Sequence, residues 1–274
     1  MRLVDSHCHL QADRFDGDVE AVVERAREAG VERILAPGWN AWSSAAAVAL
    51  ADRIPWLDAA VGVHPHDAAS VDDEAWTAIA ASAADPRVVA IGETGLDYDR
   101  VFSPILAQLA NLRRNLVLGV ETGKPVILHC RSRAGEREAQ DALLGELRAF
   151  GSDRPRVVVH SFSGPLDYAE AMLELGATIS FSGLVFRRAE EASAEVAGRA
   201  PLDRVLTETD SPFLSPPGAP RGRNEPEWVR VTAAWLAERQ GVAPEVLGDA
   251  VVATYDRLFR AARTATVTDV VGHP

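Results

Sequence analysis

The chain has 274 residues, 47% of them hydrophobic and 25% charged, with a formal net charge of −12, so it has ample apolar material for a large core. The acidic balance excludes a protein that holds nucleic acid through a general basic surface, because counterion release from phosphates needs clustered lysine and arginine. It does not exclude a nucleic-acid substrate held by a bound divalent metal or a few well-placed arginines.

Along the chain, short β-branched runs alternate with longer helical patterns. A strand at Leu3 to Asp5 precedes a helix over Val19 to Ala29, and Arg33 to Ala36 is followed by Ala41 to Arg53. Asp58 to Val63 leads into Glu74 to Ser82, Val88 to Gly92 into Ile105 to Thr122, and Val126 to His129 into Glu136 to Phe150. Val157 to His160 then precedes Leu166 to Leu175, and Thr178 to Phe181 precedes Ala189 to Ala197. Val205 to Thr207 is followed by Pro226 to Gln240 and Pro244 to Ala262. The strands are continuous apolar runs, as when helices cover both faces of a parallel sheet, and Gly30, Gly123, Gly151 and Gly176 stand where helices should stop. Eight βα units close most simply into a (β/α)₈ TIM barrel, an α/β fold, as a single domain over residues 1–263 with a loose tail at 264–274. An open doubly wound sheet would carry a glycine-rich phosphate loop at its first turn, whereas this chain has Ser6-His7-Cys8-His9 there.

No run approaches the ~18 uncharged apolar residues of a bilayer span, and the chain starts directly on a strand without a signal-peptide pattern. Cys8 and Cys130 need no disulfide framework and fit a reducing compartment. A cytoplasmic protein is expected, with no membrane association and no obligate protein partner.

The metal-capable side chains fall at one kind of position. His7 and His9 end the first strand, His64 and His66 the third, Glu93 the fourth, His129 the fifth and His160 the sixth, while Asp210 follows the eighth. In a barrel these C-terminal strand ends converge on one mouth. Two divalent ions sharing a carboxylate fit better than one closed zinc site, which would recruit cysteines. His7, His9, Glu93 and Asp210 are assigned to the first ion, and Glu93, His129 and His160 to the second. His64 then stands beside the metals, where it holds the phosphate or protonates the leaving oxygen, or else orients the ligands. Taken singly, His66 and Asp97 read as capping or loop residues. Asp210 is placed to orient a metal-activated water and take its proton. Glu208 reads either as a support for the ligands or as a buried partner for an arginine. Arg131, Arg221 and Arg223 are candidate phosphate donors. Beyond scattered Trp39, Phe102 and Phe186, nothing offers a stacking platform.

The segments VDSHCHL, VGVHPHD, IGETGLDY, PVILHCR, VVVHSFSG and ETDSPFL with its trailing RGRNEP, in that order from Leu3 to Phe259, together resemble the TatD family of metal-dependent hydrolases. The resemblance implies a barrel, one or two divalent metal ions (Mg, Mn or Zn) on the residues just assigned, and a metal-dependent deoxyribonuclease, often a 3′-to-5′ exonuclease. It also implies that Glu93 replaces the carboxylated lysine of related barrel amidohydrolases. Single-stranded or frayed DNA is the expected substrate. The alternatives are an amidohydrolase or esterase acting on a small-molecule or aminoacyl ester, and a metal-holding binding protein. Departures from the family pattern are Gln11 where an Asp is common, HSFSG for HCFTG, a loop one residue longer after His129, and Thr254 for a customary Asn.

Overall fold

In the computed structural model, which describes residues 1–260, eight parallel strands pair in sequence order. They are β1 (Leu3–Asp5), β2 (Val31–Pro37), β3 (Leu57–Val61), β4 (Val88–Asp97), β5 (Val126–Arg131), β6 (Val157–Val159), β7 (Thr178–Phe181) and β8 (Val205–Thr207). The sheet returns on itself where β8 meets β1. The Ser6 N–H donates to Thr207 O at 3.0 Å, and the Thr207 hydroxyl donates to Val4 O at 3.0 Å. Just beyond, the buried Asp5 carboxylate accepts from the Thr209 N–H (2.9 Å) and hydroxyl (2.6 Å), tying the first strand to the loop after the last. The barrel is thereby nearly closed, as the continuous apolar strands predict.

Outside it run α1 (Val19–Glu28), α2 (Ala41–Arg53), α3 (Asp73–Ser82), α4 (Ile105–Thr122), α5 (Glu138–Ala149), α6 (Leu166–Glu174), α7 (Glu191–Arg199), α8 (Val229–Gln240) and α9 (Pro244–Tyr255). Gly123 ends α4 in the left-handed conformation at φ 65°. The expected last helix gives way after Tyr255 to a π turn over Asp256–Arg260. Residues from all eight strands and from the inner faces of the helices form one continuous buried cluster. No helix among the described residues is long and apolar enough to cross a membrane. The tail expected at 264–274 lies outside the described residues.

One element departs from its predicted limits in a way that shapes the mouth. β4 does not stop at Gly92 but continues to Asp97, so Glu93 sits within the strand, and Gly95, Leu96 and Asp97 pair with His129, Cys130 and Arg131 of β5. Gly95 makes that pairing possible. Its φ is 141°, and a Cβ there would be driven into the His129 carbonyl oxygen. Gly95→Ala is therefore expected to destabilise the protein by about 2–4 kcal/mol through backbone strain and steric overlap. The measurement is the urea midpoint at constant m-value, and an unchanged midpoint would show that the two strands are not this close.

Candidate metal centre

The centre is built around Glu93, whose carboxylate is almost wholly buried. Its Oε2 lies 3.3 Å from His7 Nε2 and 3.6 Å from His9 Nε2. Its Oε1 lies 2.8 Å from His160 Nε2, 3.0 Å from His129 Nδ1 and 3.3 Å from His64 Nε2. Asp210 Oδ1 completes the first side, 3.4 Å from His9 Nε2 and 3.7 Å from His7 Nε2. Each carboxylate oxygen of Glu93 thus faces its own group of imidazoles. Residues in β4 and β5, just beyond β1 and β6, and in the β8 loop meet at one mouth only because the barrel closes.

What surrounds each ring decides which nitrogen it offers. His9 Nδ1 is 3.3 Å from Pro37 O, so it carries the proton and leaves the Nε2 lone pair for the centre. His160 Nδ1 donates to Glu208 Oε1 at 3.2 Å, and His129 Nε2 points to Asp97 Oδ2 at 3.5 Å. In either ring the neutral form with its proton toward that carboxylate turns the other nitrogen's lone pair to the centre, the arrangement by which carboxylates orient histidine ligands. His7 stacks on His160 with ring centroids 3.9 Å apart, and its outer nitrogen has no partner. His64 is different. By distance it groups with Glu93 and His129, but its Nδ1 accepts the His66 backbone N–H at 3.1 Å, so a neutral ring has its proton on Nε2. His64 offers the centre a hydrogen, not a lone pair.

Electrostatics follow from burial against charge. Burial holds the His64 imidazole down at about 4, so it is neutral near pH 7. Burial also lowers His7, reinforced by the neighbouring His160. For Glu93 burial acts upward, but His160, His64 and His7 outweigh it and keep the carboxyl well below its ordinary range. His9 and His160 rise despite burial because Asp210, and Glu93 with Glu208, hold their protonated forms. The donor set of inward lone pairs and two ionised carboxylates with fixed supports suits divalent cations.

Asp97 is more than a loop cap. Its Oδ2 takes His66 Nε2 at 2.7 Å and lies 3.8 Å from Arg131 Nη1, while Oδ1 accepts the backbone N–H groups of Asp99 and Arg100. Of the two readings of Glu208, it supports a histidine. Asp5, which anchors the loop presenting Asp210, was missed as a site residue; its signal was a carboxylate ending an apolar strand.

A cavity of about 750 Å³ opens over the centre, lined by Arg14, Arg100, Arg131 and Arg187 together with Trp39 and Phe213. Arg131 therefore lies where it was expected. Arg221 and Arg223, also expected there, are not among its lining residues, although Gly222 between them is. Arg223 donates to both oxygens of Asp18 (3.0 and 2.8 Å) and to Glu225 (2.5 Å), and Arg221 is exposed outside the cavity. Proximity to the end of β8 did not reveal that Asp18, far away in sequence, captures Arg223. Arg14, Arg100 and Arg187 take their place, from loops that carry no motif. Of the scattered aromatics, Trp39 and Phe102 reach the mouth, each against a histidine, whereas Phe186 packs on Trp235.

A family model described as TatD related DNase matches residues 4–260. The chain is 33% identical over 258 residues to the metal-dependent hydrolase YabD of Bacillus subtilis, covering 94% of this chain and 99% of that protein. It is 37% identical over 267 residues to the 3'-5' ssDNA/RNA exonuclease TatD of Erwinia billingiae, covering 94% and 99%. Among solved structures, the TatD homologue YjjV of Escherichia coli superposes with a TM-score of 0.86 at 31% identity, covering 95% of this chain and 98% of that one.

Two outcomes are expected from this geometry. Chelated protein should take up to two divalent ions per chain by elemental analysis, and Glu93→Ala should hold fewer; a full complement at both sites in Glu93→Ala would refute the bridge. Neighbouring carboxylates favour the protonated forms of His9 and His160, so a cation competes with protons for their inward nitrogens. Metal uptake should therefore release protons and strengthen as pH rises through and above the ordinary histidine value of 6.5. Calorimetry in buffers of different ionisation enthalpy checks this, and identical heats would contradict it.

Proposed function

This chain belongs to the family of TatD-related DNases, and from that membership we propose that it is a metal-dependent nuclease degrading single-stranded or frayed DNA from the 3′ end. The observation that carries the reading is the Glu93 carboxylate, with one oxygen toward His7 and His9 and the other toward His129 and His160, beneath a cavity lined by arginines. We assign His7, His9, Glu93 and Asp210 to one divalent ion and Glu93, His129 and His160 to a second, with Mg, Mn or Zn as candidates. The relatives named 3'-5' ssDNA/RNA exonuclease support the substrate and the polarity. The two free cysteines, one buried and one half-buried, fit the reducing interior of a cell, and we place the protein in the cytoplasm.

A bound divalent ion lowers the pKa of its water from about 16 toward 7 and offsets charge on the phosphate. The protein's own groups supply the rest. Asp210, half-turned to the cavity and hydrogen-bonded through its backbone N–H to His7 O at 2.9 Å, orients the attacking water and accepts its proton. His64, neutral with its proton on Nε2, donates to a phosphate oxygen or to the departing 3′ oxygen. Arg131, steadied by Asp97, and Arg14, Arg100 and Arg187 around the rim hold the backbone phosphates. A small-ester hydrolase would want an apolar pocket; four lining arginines favour a polyanion.

End-labelled single-stranded DNA, run beside small-ester and aminoacyl-ester substrates, is the test. Wild type should shorten the DNA from its 3′ end, chelation should stop it, and Asp210→Asn should reduce the rate about 10²- to 10⁴-fold. Degradation that survives in Asp210→Asn would belong to a contaminating nuclease. Ester turnover lost in that variant, with no DNA turnover in wild type, would make the protein an amidohydrolase or esterase.

A further inference from the structure

The rim of the cavity on the His9 side is aromatic. Trp39 lies edge-on to His9 with ring centroids 5.3 Å apart, and Trp42 lies edge-on to Trp39 at 6.0 Å. Phe213, from the β8 loop, approaches His9 at 6.1 Å, and the Arg14 guanidinium sits over the Phe213 ring at 5.4 Å. Two of these rings face solvent to an extent that burial cannot explain, Trp42 at 58% and Phe213 at 48%. The backbone that carries Trp42 is well anchored all the same. Trp42 occupies the first turn of α2, where Asn40 Oδ1 accepts the Ser43 N–H at 3.0 Å and Ser43 Oγ accepts the N–H groups of Asn40 (2.9 Å) and Trp39 (2.8 Å). A capped helix start thus fixes the backbone that carries both tryptophans, with Trp39 on the cavity against His9 and Trp42 next to it against Trp39.

We propose that Trp42, Trp39 and Phe213, with the Arg14 guanidinium, form a stacking subsite for the unpaired nucleobases next to the phosphate at the metal centre. The inference rests on the nuclease reading and adds to it how the strand is chosen. The occupant follows from two features of the same cavity: arginines suited to a polyanionic backbone, and, one ring away from His9, π faces that any base can cover regardless of sequence. A base inside a duplex is already stacked on both faces and paired at its edge, so it cannot lie on this arc. A frayed or single-stranded end can. Selection for unpaired ends then needs no groove-reading element and tolerates every base.

The experiment compares metal-loaded wild type, Trp42→Ala and Trp42→Phe on two 5′-labelled single-stranded oligonucleotides. One carries ordinary bases to its 3′ end, and the other carries tetrahydrofuran abasic residues there. In wild type kcat/KM should favour the base-bearing strand by about 5- to 150-fold, chiefly through KM. Trp42→Ala should lose most of that ratio, and Trp42→Phe, which retains a ring, should keep most of it. Because Trp42 is largely exposed, its truncation leaves the core intact. Equal rates on the two strands in wild type, or a ratio unchanged in Trp42→Ala, would overturn the stacking subsite while leaving a nuclease. Failure of wild type to cleave either strand would overturn the nuclease reading and this subsite with it.

Discussion

Burial of the Glu93 carboxylate among imidazoles is the interaction on which the remainder depends. An ionised carboxylate removed from water is tolerated only where opposite charge or donors replace the lost hydration. Here His160, His129 and His64 surround one oxygen, and His7 and His9 the other. The same arrangement turns several lone pairs toward one point, where like dipoles oppose one another unless a proton or a cation lies between them. Affinity for divalent metal is therefore built into the electrostatics of the mouth, and it is the supports behind the rings that make it directional. Pro37 O behind His9, Glu208 behind His160 and Asp97 behind His129 each settle which nitrogen turns inward.

The barrel makes this possible by bringing together strand ends far apart in sequence. Asp5 is central to that closure, because its buried carboxylate takes both donors of Thr209 and so locks the β8 loop against β1. Asp210 is presented three residues past β8 by this lock. Its backbone is left-handed at φ 55°, and its N–H is bound to His7 O, which places a carboxylate beside both histidines of β1. A defect in closure would act on the metal centre before it acted on the outer helices.

Charge is distributed unevenly between the centre and the chain as a whole. The net charge of −12 repels polyanions at long range, yet four arginines line the one cavity that holds the candidate metal ligands. For the proposed nucleic-acid substrate this distribution predicts a local grip, with few phosphates contacted and a weak dependence on salt. Aromatic rings on the rim suit that economy, since stacking adds affinity without adding charge.

Much of this could be read along the chain. Continuous apolar runs of strand length, alternating with helical periods, determined eight βα units, because burial on both faces of a parallel strand is a local pattern. The position of each histidine at a strand end followed from the same alternation, and with it the convergence of His7, His9, Glu93, His129, His160 and Asp210. What tertiary structure alone decided were the directions of side chains set by distant partners. That His64, expected beside the metals, turns a proton and not a lone pair toward them hangs on a backbone N–H of the turn at His66, and the engagement of Arg223 hangs on Asp18 across the fold. Likewise, Trp42 reads as an ordinary helix residue until the capped start of α2 sets it beside Trp39, the ring that meets His9. Periodicity records whether a residue is buried, but a glycine- and proline-rich loop carries no period, so its arginines and aromatics take their direction from charges and rings that only the folded chain brings near.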